Sequence, residues 1–437
     1  MSGGSGQGIG RRAVVAGMAL GATALSTAPA RALTAGRAKA PAAGTGARPG
    51  RTPAAVTRWR TASGHTVLAR PLANPDGSNP LVEIWDVNRH GHVLGMIDAG
   101  EGTTPQWPSA IWADGRVTVL PPPVADAADC GARHLNDSDQ AAGYYTVGGR
   151  THATLWTGGV PRVLDIGTVY SEATALNNLG QVAVFGYDVP SGDTATPSKA
   201  CLVDGTTVTT IAPPPARQGI TFSAVAVNDR GEALMRGYIP QSPMRLAYLW
   251  RDGTTVADFT DIDGTWSLMG VAGLNSRGDV VGDYSSQSGP PTTRAFLWSG
   301  GTLTTFTGPH NGTASVSDYS IQRALNDLGD VVGFSNSAVG QRPFLRSGGT
   351  ATDLGTLGGT SARAVGVNNA RQVAGGSSLA NGSWSAFLWR AGEMIAITPP
   401  PGYAGTGASA ITEQGDVLGW ATTVDGTRTD YFRWTVL

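Results

Sequence analysis

Eight times along its 437 residues the chain returns to one phrase: an apolar run, an asparagine, two polar residues, a glycine and a second apolar run. The copies read DVNRHGHVLG, HLNDSDQAAG, ALNNLGQVAVFG, AVNDRGEALMRG, GLNSRGDVVG, ALNDLGDVVG, GVNNARQVAG and AITEQGDVLG. Their anchors are Asn88, Asn136, Asn177, Asn228, Asn275, Asn326, Asn368 and Thr412, spaced 48, 41, 51, 47, 51, 42 and 44 residues apart. That period is the length of one four-stranded propeller blade. A repeat covering nearly the whole chain outweighs the several domains that length alone suggests.

Each phrase is a turn flanked by two strands. Asparagine at the first position of a type I turn hydrogen-bonds its own backbone, and glycine three residues on takes the left-handed conformation that closes the hairpin. The asparagine row therefore has a structural role. Asp139 and Arg371 replace the glycine and Thr412 replaces the asparagine, so strain or a different shape is expected at those corners. From Asn177 to Gly186 and from Asn228 to Gly237 the interval is nine positions, against seven elsewhere, which reads as a two-residue insertion that preserves strand alternation.

A second pair of strands follows each phrase, clearest at Ala295-Phe296-Leu297-Trp298 and Ala386-Phe387-Leu388-Trp389. Hairpin dipeptides such as Asp252-Gly253 and Gly300-Gly301 then lead into a fourth alternating run, for example Thr302 to Phe306. The recurring tryptophan is expected to pack between blades. The predicted fold is all-β: a closed propeller of eight four-stranded blades, with seven blades as the alternative. The chain ends on a third strand, Tyr431 to Trp434, and its missing partner is expected near the N-terminus, where Thr57-Arg58-Trp59 and His65 to Arg70 precede the first phrase. Such a pairing removes an exposed edge.

Residues 1–30 have the three-part form of a secretory signal, with Arg11-Arg12 suggesting the twin-arginine route. Residues 31–57 read as a flexible Ala/Gly/Pro spacer, and 58–437 as the repeat domain. No lipid-anchor cysteine follows the signal and no membrane anchor is visible, so a secreted, extracellular monomer is expected.

Residues 1–57 carry seven basic residues and no acid, which leaves the remainder with 24 basic against 32 acidic residues, a net charge of −8. That sign argues against nucleic-acid binding, which needs a basic surface to displace counterions. Cys130 and Cys201 fall in different repeats and read as buried free thiols. The six histidines lack zinc-site spacing, and His90 and His92 read as solvated turn residues. The stretch from Asp258 to Gly264 is the densest in acid, which makes Asp261 and Asp263 the candidate ligands for Ca²⁺, the one cofactor considered.

The repeats resemble the HAF repeat family of secreted bacterial proteins. The resemblance covers roughly residues 82 to 434, best at Asp353 to Gly359, Gly366 to Gly375 and Ser385 to Trp389. Only His152-Ala153 keeps the family's initial histidine; Arg294-Ala295-Phe296 and Ser385-Ala386-Phe387 do not. The resemblance implies an extracellular repeat protein and supplies no catalytic residues.

Connections between the short turns vary in length and carry Trp107, Trp266, Tyr319, Trp384 and Tyr403. A propeller gathers such loops on one face, where recognition usually resides. The expectation is a non-catalytic protein that binds an extracellular glycan, polymer or protein there. The alternatives are a carbohydrate-active enzyme using loop carboxylates such as Asp261 or Asp263 with His310, and a structural envelope or matrix component.

Overall fold

The structure is a computed structural model and describes residues 55–98, 107–188, 198–217, 220–238, 245–260, 266–286, 292–317 and 321–437. The expected signal, nearly all of the spacer, Asp261, Asp263 and Tyr319 lie outside the described residues. Among the described residues the chain is all-β, with no α-helix and two short 3-10 turns at Pro215–Arg217 and Pro309–Asn311.

Five sheets are four-stranded antiparallel units met in chain order, over residues 81–119, 129–163, 170–210, 221–258 and 266–306. A further sheet comprises two antiparallel units, 331–353 and 358–397, joined by the single parallel pair Gln341 and Ser361. Among the described residues the first of these has no regular inner strand; Ser315 and Leu325 instead bridge singly to Phe334 and Val331. The last sheet takes its strands from both ends of the described chain. Thr66–Pro71 pairs antiparallel with Thr429–Val436, from Val67 opposite Val436 to Pro71 opposite Phe432. Thr57–Arg60 is a fifth strand outside it. It is tied down by Trp59 Nε1, which donates to Thr398 Oγ1 at 2.9 Å.

The asparagine turns form as their chemistry dictates. In the fifth repeat, Asn275 Oδ1 accepts the N–H groups of Arg277 at 3.0 Å and Asp279 at 2.8 Å. Gly278 has φ +88°, and Asp139 and Arg371 hold the same left-handed corner at φ +57° and +60°. All eight turns have one length, since each anchor N–H bonds the carbonyl four residues on. The expected two-residue insertion is therefore absent. Val184 and Met235 occupy the place where the other repeats have glycine, and they pair with Ala173 and Ala224 as Gly143 pairs with Ala132. That glycine answers a close approach by the inner strand: a Cβ on Gly143 would lie 2.0 Å from the Gly131 carbonyl oxygen.

The core is divided among clusters between successive sheets. Leu94 and Ile111 of the first repeat pack with Cys130, Tyr145 and Trp156 of the second. Trp112 of the first packs with Leu418 and Tyr431 of the last. Trp112, Trp156, Trp250 and Trp434 are buried, as the packing role requires. Each such ring contributes on the order of 4–6 kcal/mol of hydrophobic burial before ordering entropy is counted. Cys130 and Cys201 are buried free thiols, and burial pushes the Cys130 thiol up to about 12.

Candidate functional site

The anchor asparagines have a second task that the turn itself does not need. While Oδ1 holds its own turn, Nδ2 donates to the anchor carbonyl of the next repeat: Asn88 to Asn136, Asn136 to Asn177, Asn177 to Asn228, Asn228 to Asn275, Asn275 to Asn326, Asn326 to Asn368 and Asn368 to Thr412, at 2.9 to 3.1 Å. Thr412 has no amide to continue the series. Gln414 Nε2 instead donates to the Arg89 carbonyl at 2.6 Å, and Arg433 Nη1 to the Gly91 carbonyl at 3.3 Å.

The residue after each anchor makes a parallel series. The backbone N–H of Arg89 donates to Asp137 Oδ1, that of Asp137 to Asn178 Oδ1 and that of Asn178 to Asp229 Oδ1. Ser276, Asp327 and Asn369 donate likewise to Asp327, Asn369 and Glu413. Side chains of this length with an oxygen at the tip are needed to reach the neighbouring backbone, so the series lapses where the next repeat offers Ser276 or Arg89, the first too short and the second without an acceptor.

Three residues before the anchor, seven inner strands carry a β-bulge. The extra residue is Trp85, Arg133, Thr174, Val225, Ala272, Val365 or Ser409. A bulge leaves one residue outside the ladder and re-aims its side chain. Trp85, Val225, Ala272 and Val365 line a cavity, together with Arg323 at the corresponding place in the sixth repeat. All eight repeats contribute to this cavity, whose volume is about 770 Å³.

The cavity wall has two characters. Val225, Ala226, Ala272, Val365, Ala410 and Ile411 are apolar, whereas Asp86, Asp137, Asp229, Asp327, Glu413, Arg89 and Arg323 are charged. Arg89 pairs with Asp137 at 3.2 Å and Arg323 with Glu413 at 2.5 Å. Burial lifts the Asp86 carboxyl to about 6, against the Leu135 and Val87 N–H groups, each at 2.8 Å, and the nearby Arg323. For Asp327, burial is outweighed by hydrogen bonds from Ser276 and Asn369 and by Arg323, so this group stays below its ordinary value.

Against this wall stands a second charged group. Arg133 stacks on the Trp85 ring at 4.2 Å. Burial raises Glu83, and raises Glu172 to about 6, with Arg133 opposing both. Burial, assisted by Arg133, pushes the His134 imidazole down to about 4. Repetition of the asparagine marks the turn itself. The missed signal lies in the variable positions around it, the bulge residue and the residue after the anchor.

The four described aromatic residues expected from sequence have different surroundings. Trp107 and Trp384 are exposed on the first and seventh repeats, 43% and 41% accessible. Trp266 is covered by Arg294 at 4.9 Å, and Tyr403 donates to Asp430 Oδ2 at 2.5 Å with its ring edge-on to Phe432. None of the four lines the cavity. Trp266 and Tyr403, at strand starts, are thus held by neighbours on their own sheets. His310 Nε2 lies 2.7 Å from Asp353 Oδ2, also away from the cavity. His92 is not a solvated turn residue but lies against Asp139. Among the described residues no group of three or more His, Cys, Asp or Glu is placed to hold a metal ion.

No family model and no curated protein matches the chain. Among solved structures it is similar to dipeptidyl peptidase 4 of Porphyromonas gingivalis, with a TM-score of 0.52 and 11% identity over 85% of this chain and 65% of that one. It thus spans just under two thirds of that peptidase. It also resembles the β-propeller domain of the Trilobed protease from Pyrococcus furiosus, with a TM-score of 0.42 and 12% identity over 74% of this chain and 99% of that one. A third likeness is to the acylaminoacyl peptidase of Pyrococcus horikoshii, with a TM-score of 0.44 and 11% identity over 78% of this chain and 57% of that one. The fold is that of a β-propeller. The likeness to dipeptidyl peptidase 4 overturns the expectation of a non-catalytic protein that binds a polymer or protein through its loop face.

Proposed function

We propose that the chain is a closed propeller of eight blades, related to peptidase propellers, and that its cavity takes a short peptide. Closure is supported by the anchor hydrogen bonds, which lead from repeat to repeat and return to Arg89 and Gly91 through Gln414 and Arg433. It is also supported by the pairing of Thr66–Pro71 with the last strand. Eight units then meet around the cavity, the one at 331–353 having an irregular inner edge.

The observation that carries the peptide reading is the cavity wall. Its volume of about 770 Å³ is in the range of small-molecule sites. It offers charges of both signs beside an apolar side, which is what a peptide backbone with small apolar side chains requires. The likeness to a peptidase agrees with this choice of ligand. The paired arginines Arg11-Arg12 further support export from the cytoplasm.

Fluorescence anisotropy of labelled tri- to pentapeptides, titrated with the full chain, tests the reading, with mass spectrometry of the same mixtures reporting cleavage. Binding should be weakened about tenfold by Arg323→Ala, which strips one charge pair from the wall. Absence of binding by every peptide, or indifference to Arg323→Ala, overturns it.

A further inference from the structure

Charge is unevenly placed along the chain. Residues 31–75 carry eight basic residues and no acid, whereas from Asp76 onward 21 basic residues stand against 32 acids. The described part of the basic segment forms the outer margin of the last sheet, in the strands Thr57–Arg60 and Thr66–Pro71. Trp59 lies opposite Val67 and packs on the core side, so by alternation Arg58, Arg60 and Arg70 share the other face. All three are exposed, and none has a hydrogen bond, ion pair or ring contact among the described residues. By contrast, Arg89, Arg251, Arg277, Arg371 and Arg433 pair with carboxylates. No other outermost strand among the described residues carries two arginines.

The same margin is an open edge. Among the described residues no strand pairs with the outer side of Thr57–Arg60, and the strand is fixed from behind by Trp59 and its bond to Thr398. A fixed open edge offers backbone N–H and C=O groups to an added strand. Arg58 and Arg60 stand about 7 Å apart on one face, which is the spacing of alternate side chains on any strand laid alongside. A second copy of this edge would set arginine against arginine, whereas acids at alternate positions would meet the two guanidinium groups pairwise. Each planar fork can take a carboxylate through two hydrogen bonds. We infer that the edge at Thr57–Arg60 takes an extended acidic peptide segment of another protein as a further strand, with the carboxylates of alternate residues on Arg58 and Arg60. Arg70, just past the register of the pair, extends the same positive face. None of these residues lines the cavity, so the inference stands apart from the peptide site proposed above.

Fluorescence anisotropy of a labelled, end-blocked heptapeptide of alternating aspartate and valine, titrated with the full chain, tests the inference. A peptide of the same composition with its aspartates consecutive should bind about tenfold more weakly. The double variant Arg58→Glu and Arg60→Glu should weaken the alternating peptide by about tenfold or more and bind its counterpart with lysine in place of aspartate, with thermal unfolding confirming the fold. Excess tri-alanine, which carries no side-chain acid, should leave the alternating peptide bound. Failure of that peptide to bind, equal affinity for the two arrangements, or full affinity in the double variant overturns the inference. Displacement by tri-alanine would place the peptide in the cavity and likewise overturn it. The cavity reading is tested separately by Arg323→Ala, so failure at the edge leaves it standing.

Discussion

Nδ1 of His92 lies 2.8 Å from Oδ1 of Asp139, and these two residues exchange what each lacks relative to the repeat. In most repeats the residue four after the anchor accepts from the anchor's Nδ2, as Gln140, Gln181, Glu232, Asp279, Asp330 and Gln372 do. His92 occupies that place in the first repeat. The acceptor comes instead from Asp139, at the glycine corner of the second repeat, which takes Asn88 Nδ2 at 2.9 Å. Arg371 at the corresponding corner of the seventh repeat likewise reaches back to Asp330 at 3.0 Å.

The pair should therefore behave as a unit. Asp139→Gly relieves a left-handed corner but deprives both Asn88 and His92 of a partner, so a net loss of about 1 kcal/mol is expected in urea unfolding. Adding His92→Asp restores the usual arrangement and should recover most of it. Simple additivity of the two changes would show that the residues are not coupled.

Asn275 and Thr412 stand at equivalent anchors with unequal duties. Asn275 makes four side-chain hydrogen bonds, one of them to the next repeat, whereas the Thr412 hydroxyl accepts one, from the Asp416 N–H at 3.0 Å. Asn275→Ala should cost about 2–4 kcal/mol and Thr412→Ala about 1 kcal/mol. Equal losses would mean that the inter-repeat bond contributes nothing.

Glu172 gives stability a pH dependence of definite sign. Its carboxyl is raised to about 6 by burial, so the folded protein holds a proton there that the unfolded chain releases near its ordinary value of 4.5. Its contribution is fully present below that value and is lost as pH rises through 6. Glu172→Gln should therefore be more stable than the parent by up to about 2 kcal/mol at pH 8, with the advantage vanishing near pH 4. An advantage independent of pH would contradict the assignment.

Removing residues 57–71 takes away the partner of Thr429–Val436 and uncovers its edge. Such edges invite pairing with other chains, so the truncated protein should aggregate and lose its cooperative unfolding transition. Monomeric behaviour in analytical ultracentrifugation with an unchanged melting curve would refute that role for the segment.

Much of this fold was legible because its signals are local and repeated. Asparagine and a left-handed corner specify a turn within five residues, and the unpaired Tyr431 to Trp434 strand pointed to its partner at the other end. Turn length is not legible from glycine spacing in the third and fourth repeats, where Val184 and Met235 hold the place of the strand glycine. The site was illegible for a different reason. Glu83, Arg133 and Glu172 come from three repeats, and a bulge, which depends on cross-strand pairing, brings Arg133 against Trp85. Trp266 and Tyr403 were conspicuous in the loops, yet Arg294 and Asp430 had already engaged them.

The bulge before each anchor separates two kinds of constraint that strands ordinarily combine. A residue within a ladder answers to its cross-strand partner and to the core at once, while a bulged one is released from the first. Tryptophan, arginine, threonine, valine, alanine and serine all occupy this position in one chain without altering the turn that follows. The lining can thus drift in size and charge one repeat at a time while the framework stays fixed. Proteins with this phrase would then share a recognisable turn and differ in what they admit.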